Sequence, residues 1–517
     1  MIFLVFIGRL FSLPAVLIKY FLKRADGPTR LRLILEELGG VYIKLGQILA
    51  MRFDILPINY ARGLMDILDN VKPVSDERMF DVFEKEAGKK LEEVFERIER
   101  RPIGSASFAQ VYKGVLNGEN IVVKIQKPES DKYIKADLLF LKLAFFFIDF
   151  WGILKSVSSK EILIQLKEWL SDELDYSKEA QNNKILYEHA KRHNLENVVI
   201  PKIYPDFTTK KVLVQEFLDG SQAKRIMVYL ETRPEDLKKI LDERKINLLD
   251  AANSFIHDLM RQYFIDGFFH ADPHPANLLI FPGSRIGYID FGIIGRSLYD
   301  NFGLLRFIKG ATEMDFRESA EGLVEFLDKR LVKEYGELIE SDSKIQKIYE
   351  ATLDFITRHL TEDVAPILKD WNFFTGNKEA DISERSSARA FLRIAKTIEK
   401  YRLKFPSDVI AFLRGLVIVD MVCLKLDVNF NMVEAARLFF RHHSVEDIKV
   451  KTPAHQEETK ELETLASLHI AEEAPEKGGE VSARIEEKQY AAREKLMGII
   501  TALAEKYPEL YNEIREA

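Results

Sequence analysis

Apolar residues recur every three to four positions through LRLILEELGGVYIKLGQILAM, and that spacing predicts helices over 28–70, followed by a short linker containing Pro57 and Pro73. Between 102 and 126 the period drops to two. FAQVYKGVL, a turn at Asn117-Gly118-Glu119-Asn120 and then IVVKIQ predict a β-hairpin. Helical spacing returns over 160–193, a further strand VLVQEF is predicted at 212–217, and Asp219-Gly220 ends it. Beyond it the pattern is mainly helical to about residue 445, broken by FFHADPHPANLLI at 268–280 and by a second hairpin, LLI-PGSR-IGYID, ending at 290. Mixed strands followed by a long helical segment predict an α+β chain with two lobes.

Two apolar runs stand apart from this alternation. Residues 1–22 are almost wholly apolar but carry Arg9 and Lys19 and are interrupted by Pro14. A spanning helix favours about 20 residues without charge, so an interfacial membrane anchor or a helix docked on the protein's own core is expected. The run LLFLKLAFFFIDFWGIL at 138–154 holds Lys142 and Asp149 and is expected to form a buried helix. The stretch from Ser444 is dense in Glu, Lys and Ala until YAAREKLMGIITALAEKYPEL, which predicts a solvated linker and a peripheral helix.

At 517 residues the chain exceeds what one hydrophobic core serves. A formal charge of -7 argues against a nucleic-acid binder held by a basic surface. The single cysteine, Cys423, rules out an intrachain disulfide and is expected to be a small buried residue.

The candidate chemistry centres on the loop at 268–280. His270, Asp272 and His274 could form a metal cluster, Asp272 and Asn277 a phosphoryl-transfer loop, or the whole a polar turn. The run His270-Ala271-Asp272-Pro273-His274-Pro275-Ala276-Asn277 has the H-x-D-x-x-x-x-N spacing of a kinase catalytic loop, and Asp290-Phe291-Gly292 follows after the hairpin. In that chemistry Asp272 orients or deprotonates a hydroxyl, while Asn277 and Asp290 hold Mg²⁺ against phosphates. Upstream, Ile121, Val123 and Ile125 share one strand face, so Lys124 projects from the other and needs an anion, a phosphate or a buried glutamate. The small-residue loop PIGSASFAQV lets backbone approach phosphates, and against G-x-G-x-x-G-x-V it reads Gly104, Ala106, Ala109, Val111. Loop, triplet and lysine strand in this order favour phosphoryl transfer over the metal cluster.

From about residue 28 to 440 the chain resembles the UbiB family of atypical kinases, the AarF-like or ADCK-like proteins. Lys44-Leu45-Gly46-Gln47 matches its K-x-G-Q motif, Glu173-Leu174-Asp175 its E-x-D motif, and GSASFAQ its alanine-rich loop. The resemblance implies a bilobal protein-kinase-like fold, with a small β-rich N-lobe, a larger helical C-lobe and an N-terminal helical extension. It also implies that ATP and Mg²⁺ are bound, that Lys124 pairs with Glu179, and that the K-x-G-Q helix covers the site. Gly104, Ser105, Ala106, Ser107, Ala109, Val111, Lys124 and Glu216 are then the nucleotide-binding set, and Lys44, Gln47, Glu173 and Asp175 the gating set. Lys44 and Gln47 are three apart and share a helix face, whereas Glu173 and Glu179 are about 120° apart around a helix. Glu179 is therefore assigned to Lys124, and Glu173 with Asp175 to the K-x-G-Q residues.

The family further implies support of isoprenoid quinone biosynthesis, typically of ubiquinone, or of membrane lipid metabolism. A membrane lipid or quinone precursor and quinone-biosynthesis proteins are then the expected partners, and the expected location is cytoplasmic, peripheral at the inner face of a membrane. Gly104 and Ser105 depart from the family's alanines, and no apolar run long enough for the two terminal membrane helices of many bacterial members follows residue 440. The expected layout is an apolar segment 1–24, a helical extension 25–100, an N-lobe 101–220, a C-lobe 221–445 and a charged tail 446–517. An ATPase or phosphotransferase of restricted substrate access is the first reading. A small-molecule phosphotransferase and a nucleotide-binding scaffold without turnover are the alternatives.

Overall fold

Gly39 and Gly40, both at positive φ (68° and 52°), divide the first helical run into α1 (Gly27–Leu38) and α2 (Val41–Leu49), with α3 (Ile58–Met65) beyond. A side chain at either glycine would meet left-handed strain, which fixes the break there. The computed structural model describes residues 12, 14–20, 23, 25–49, 58–65, 67, 73–150, 159–297, 301–449, 496–498 and 500–516. The described residues form two compact units. One takes those up to Arg192 together with Ile200–Asp219 and Ile289–Ile293; the other takes His193–Val199, Gly220–Tyr288 and those from Ile294 onward.

The first unit continues with α4 (Asp76–Ala87), β1 (Arg97–Ile98), β2 (Gly104–Ser105), β3 (Ala109–Leu116) and β4 (Glu119–Gln126). After these come α5 (Ser130–Phe150), α6 (Ser159–Glu173) and α7 (Tyr176–Arg192). β5 (Val198–Val199) belongs to the second unit, and β6 (Val212–Glu216) returns to the first. The sheet runs β1-β3-β4-β6 with β2 on β3, every pairing antiparallel. Its central hairpin turns through two residues, Asn117 and Gly118, both at positive φ, the geometry that matches strand twist. The predicted alternation holds: Ile121, Val123 and Ile125 enter a core with Val212, Val214, Tyr112 and Phe83. A second core joins α1, α2, α5 and α6 through Leu38, Val41, Leu45, Leu141, Phe145 and Leu166.

α5 differs from the expected buried helix. Ile134, Leu141 and Phe145 are buried, but Phe146 is 62% exposed and Leu139, Leu143 and Phe147 are also exposed, because the helix packs along one side only. Residues 151–154 of that run lie outside the described residues. So does most of the N-terminal apolar segment. Of it, 14–20 is helical, with Val16 against the extension core, Tyr20 buried, and Leu17 and Ile18 exposed. Among the described residues no helix is long and apolar enough to cross a membrane.

The second unit is mostly helical. It begins with β7 (Ser221–Gln222), α8 (Ala223–Thr232), α9 (Pro234–Arg244) and α10 (Leu248–Arg261), which ends in a π-helical turn, Gln262–Asp266. Four short strands follow: β8 (Phe268–His270), β9 (Leu278–Ile280), β10 (Ile286–Tyr288) and β11 (Ile294–Arg296). The second predicted hairpin is β9 with β10, extended to the order β5-β10-β9-β7, while β8 pairs with β11. The longer helices that follow are α11 (Phe302–Glu313), α12 (Phe316–Ser341), α13 (Ser343–Gly376), α14 (Ala388–Glu399), α15 (Ser407–Leu426), α16 (Met432–His442) and α17 (Pro508–Glu516). Cys423 is fully buried and its thiol donates to the Ala252 carbonyl at 3.4 Å, as a small core residue would. Of the charged tail, 450–495 lies outside the described residues. Its last helix is tied to α13 by Arg358 and Glu513 at 2.8 Å.

Candidate nucleotide and phosphoryl-transfer site

In the first unit the site grows from the middle of β4, where Lys124 is paired in register with Val111 on β3 and Leu213 on β6. The side chain of a lysine held there is only 19% exposed, so its ammonium needs anions. Its ammonium meets both oxygens of Glu179, at 3.0 and 2.8 Å, and Oδ2 of Asp290 at 3.4 Å, and lies 5.0 Å from the centre of the Tyr176 ring. Burial alone would lower the lysine, but Asp290 and Glu179 overcome it and hold the ammonium well above its usual value. One cation thus serves two carboxylates. Glu179 is the deeper, and burial, reinforced by repulsion from Asp290, outweighs the attraction of Lys124 and pushes its carboxyl up to about 7.

Asp290 is 41% exposed and its other oxygen accepts from the Gly292 amide at 3.0 Å. The triplet is held from both flanks. Gln215 on β6 donates to the Ile289 carbonyl at 3.2 Å, Asn182 on α7 donates to the Phe291 carbonyl at 2.9 Å, and Phe291 is fully buried. The helix that carries Glu179 therefore also fixes the backbone that carries Asp290.

The small-residue loop is the β2–β3 hairpin, with Gly104 opposite Val111, Ser105 opposite Gln110, and the Ala106 amide bonded to the Ala109 carbonyl at 2.9 Å. A Cβ at Gly104 would meet nothing within 4 Å, so an alanine fits there and the glycine is no backbone requirement. At the tip, Phe108 is buried in the extension core and Ser107 Oγ accepts from the Gly40 amide at 3.2 Å. The helical extension thereby clips the loop. On α2 the side chain of Lys44 is only 9% exposed, and its Nζ lies 2.7 Å from Oε2 of Glu173 at the end of α6. Gln47 lies on the same helix, half-buried, with its Oε1 shielded from solvent and unpartnered. Asp175 turns instead to Ser177, accepting from its amide at 3.1 Å and from its hydroxyl, and so starts α7. Glu216 ends β6, and its Oε2 accepts from the Lys202 amide at 3.2 Å.

In the second unit β8 and β9 bracket the loop of Asp272 and Asn277. It is a chain of tight turns: the His274 amide donates to the Asp272 carbonyl at 2.8 Å, the Asn277 amide to the His274 carbonyl at 2.7 Å, and Asn277 Nδ2 to the Asp272 carbonyl at 3.4 Å. Buried His270 anchors its start. Its amide donates to Gln262 Oε1 at 2.8 Å, and its Nδ1 accepts from the Asp272 amide at 3.2 Å. Behind it Arg261 bridges Asp258 and Asp266, and Asp258 also accepts from Gln262 at 2.6 Å and Tyr288 at 2.9 Å. Asp272 itself is met by Arg414 on α15, at 2.9 Å from Oδ1.

Among the described residues no group of three His, Cys, Asp or Glu side chains could cage a metal, so the cluster reading of His270, Asp272 and His274 has no support. The residues present fit Mg²⁺ better. Asp290 already draws a cation in Lys124, and Asn277, bonded through its Nδ2, has its oxygen turned the other way, so each offers the hard donor that Mg²⁺ takes. The sequence did not mark Arg414, Asn182, Gln215 or the Phe108 clip. For Arg414 and Gln215, a polar residue inside an apolar helical or strand run was the available signal; Asn182, in a polar helix, and Phe108 carried none.

These features define an atypical member of the kinase-like class. A family model described as "ABC1 atypical kinase-like domain" matches residues 66–323, and the chain belongs to that family, with the UbiB- and aarF-type kinases. It is 28% identical over 414 residues to "Protein ACTIVITY OF BC1 COMPLEX KINASE 1, chloroplastic" of Arabidopsis thaliana, covering 79% of this chain and 54% of that protein. To "Probable protein kinase UbiB" of Marinobacter nauticus it is 34% identical over 310 residues, covering 58% and 53%. The chain thus spans about half the length of these two curated relatives. A solved complex of Rv3197 with erythromycin from Mycobacterium tuberculosis aligns at 26% identity over 56% of this chain and 70% of that one, with a TM-score of 0.38.

Proposed function

We propose that the chain binds Mg-ATP and turns it over as an ATPase or phosphotransferase of restricted substrate access. The observation that carries this reading is the Lys124–Glu179 pair at 2.8 Å with Asp290 beside it. In kinase chemistry that lysine steadies nucleotide phosphates, and the aspartate of the Asp-Phe-Gly triplet takes Mg²⁺. Asn277 would share the metal, whose charge offsets that developing on the transferred phosphoryl group. The residues of 104–111 offer small side chains and backbone to the phosphates, and Asp272 orients the attacking hydroxyl or water. Lys44, paired with Glu173 in a largely buried place, gates access. Among the relatives, one is named a probable UbiB protein kinase, and on that likeness we place the activity beside a membrane in isoprenoid quinone or lipid metabolism. A quinone precursor or membrane lipid and quinone-biosynthesis proteins are then the partners.

The test is Mg-ATP thermal stabilisation together with ADP release, with and without vesicles carrying a quinone-precursor mimic, for the wild type, Asp290→Asn and Asp272→Asn. A ligand at 100 times its dissociation constant adds about 2.7 kcal/mol. Asp290→Asn is expected to lose that gain, and Asp272→Asn to keep it while losing turnover. Equal stabilisation and turnover in all three chains would refute the reading.

A further inference from the structure

The kinase loop pattern H-R-D-L-x-x-x-N writes an arginine directly before its aspartate. This chain has Ala271 there, itself buried, and between His270 and Asn277 it carries neither lysine nor arginine. The guanidinium comes from elsewhere in the second unit. Arg414, in the middle of α15, points its NH2 group at Oδ1 of Asp272 from 2.9 Å, and both side chains are largely buried, at 9% and 19% exposure.

α15 is placed to hold that contact rigidly. Next to Arg414, Gly415 faces the loop closely, where a Cβ would sit in ordinary contact 3.6 Å from the His270 carbonyl and 3.7 Å from Pro273 Cδ. Two residues before Arg414, Phe412 stacks on Tyr263 of the π-helical turn at 3.8 Å and meets Phe269 of β8. Farther along, buried Asp420 accepts from the Ser387 amide at 2.7 Å and the Ser386 hydroxyl at 3.0 Å. The helix is therefore pinned on both sides of Arg414.

We infer that Arg414 is the positioning residue for the Asp272 carboxylate, an inference that rests on the proposed function. With Oδ1 engaged by the guanidinium, rotation about the Cβ–Cγ bond is arrested and Oδ2 remains to receive the nucleophile's hydrogen bond. A carboxylate held in this way is a good orienter, as suits a loose phosphoryl-transfer transition state in which positioning outweighs proton removal.

The experiment is steady-state ADP release by the full chain at varied ATP for the wild type, Arg414→Lys, Arg414→Gln and Asp272→Asn, with melting temperatures for each. Arg414→Gln is expected to lower kcat at least tenfold with KM for ATP changed less than threefold. Arg414→Lys, which keeps the charge on a shorter fork, is expected to recover part of kcat. The inference is overturned if Arg414→Gln keeps the wild-type kcat. It is overturned equally if the Lys and Gln variants lose kcat to the same extent, since a structural role would do that. If Asp272→Asn turns over like the wild type, the proposed function fails, and the role of Arg414 with it.

Discussion

Lys44 and Glu173 meet at 2.7 Å within the first unit, joining the extension helix α2 to the end of α6. Glu173 stands just before the short break that starts α7, the helix of Glu179. The extension therefore reaches the Lys124 pair along two routes, through Lys44 to α6 and through Phe108 to the loop at 104–109.

Replacing Lys44 by Ala leaves a partly buried carboxylate without its cation, a loss of about 2 kcal/mol. On the gating reading it also changes nucleotide affinity and raises autophosphorylation, and adding Asp272→Asn removes that gain. Chemical denaturation and labelled-phosphate incorporation measure both. Unaltered affinity and incorporation would make Lys44 a structural cation only.

Burial raises Glu179 from its ordinary 4.5 to about 7, with Asp290 adding to the shift against the pull of Lys124. The folded chain keeps a proton there that the unfolded chain has released, so stability falls as pH rises from 4.5 through 7. One such group contributes a slope of at most about 1.4 kcal/mol per pH unit. Glu179→Gln, neutral throughout, is expected to flatten that decline in urea unfolding at a series of pH values. Parallel curves for the two chains would count against the assignment.

Phe108 is buried among residues of α1, α2, α5 and α6, so Phe108→Ala opens a cavity worth about 3 kcal/mol and frees the loop tip. The expected result is a lower melting temperature, faster proteolysis between 104 and 109, and weaker ATP binding. Loss of stability with ATP affinity intact would show that the clip serves the core and not the nucleotide.

Leu17 and Ile18 are exposed while Val16 and Tyr20 face the protein, so the 14–20 stretch has one face toward its own core and one apolar face outward. On the proposed membrane-surface reading, that face enters the interface without spanning it. Leu17→Glu with Ile18→Glu is expected to reduce co-sedimentation with anionic vesicles at unchanged melting temperature. Undiminished co-sedimentation would remove this stretch from membrane contact.

Local pattern was enough for much of the fold. The period-two runs became β3 and β4, the apolar run VLVQEF became β6, and Asn117-Gly118 made the turn, because strand-forming residues and positive-φ turns are properties of a few neighbouring residues. Lys124 was legible for the same reason, as a cation in an apolar strand, and so were the spacings of the Asp272 loop and the Asp290 triplet. Glu179 was expected beside Lys124, and Glu173 with Asp175 beside the K-x-G-Q residues; the structure sets Glu179 against Lys124 and Glu173 against Lys44.

What the chain could not reveal depends on contacts between distant segments. Both Glu173 and Asp175 looked available to Lys44, and the helix start decided between them by giving Asp175 to Ser177. The run around 138–154 looked buried because its composition is apolar all round, yet packing covers one side of α5 only. Arg414 sits in an ordinary helical run, and only folding sets its guanidinium against Asp272. Sequence determined which residue types were available and their local spacing; tertiary packing decided which charges were buried together, and a buried charge must find its counterpart wherever the chain brings one.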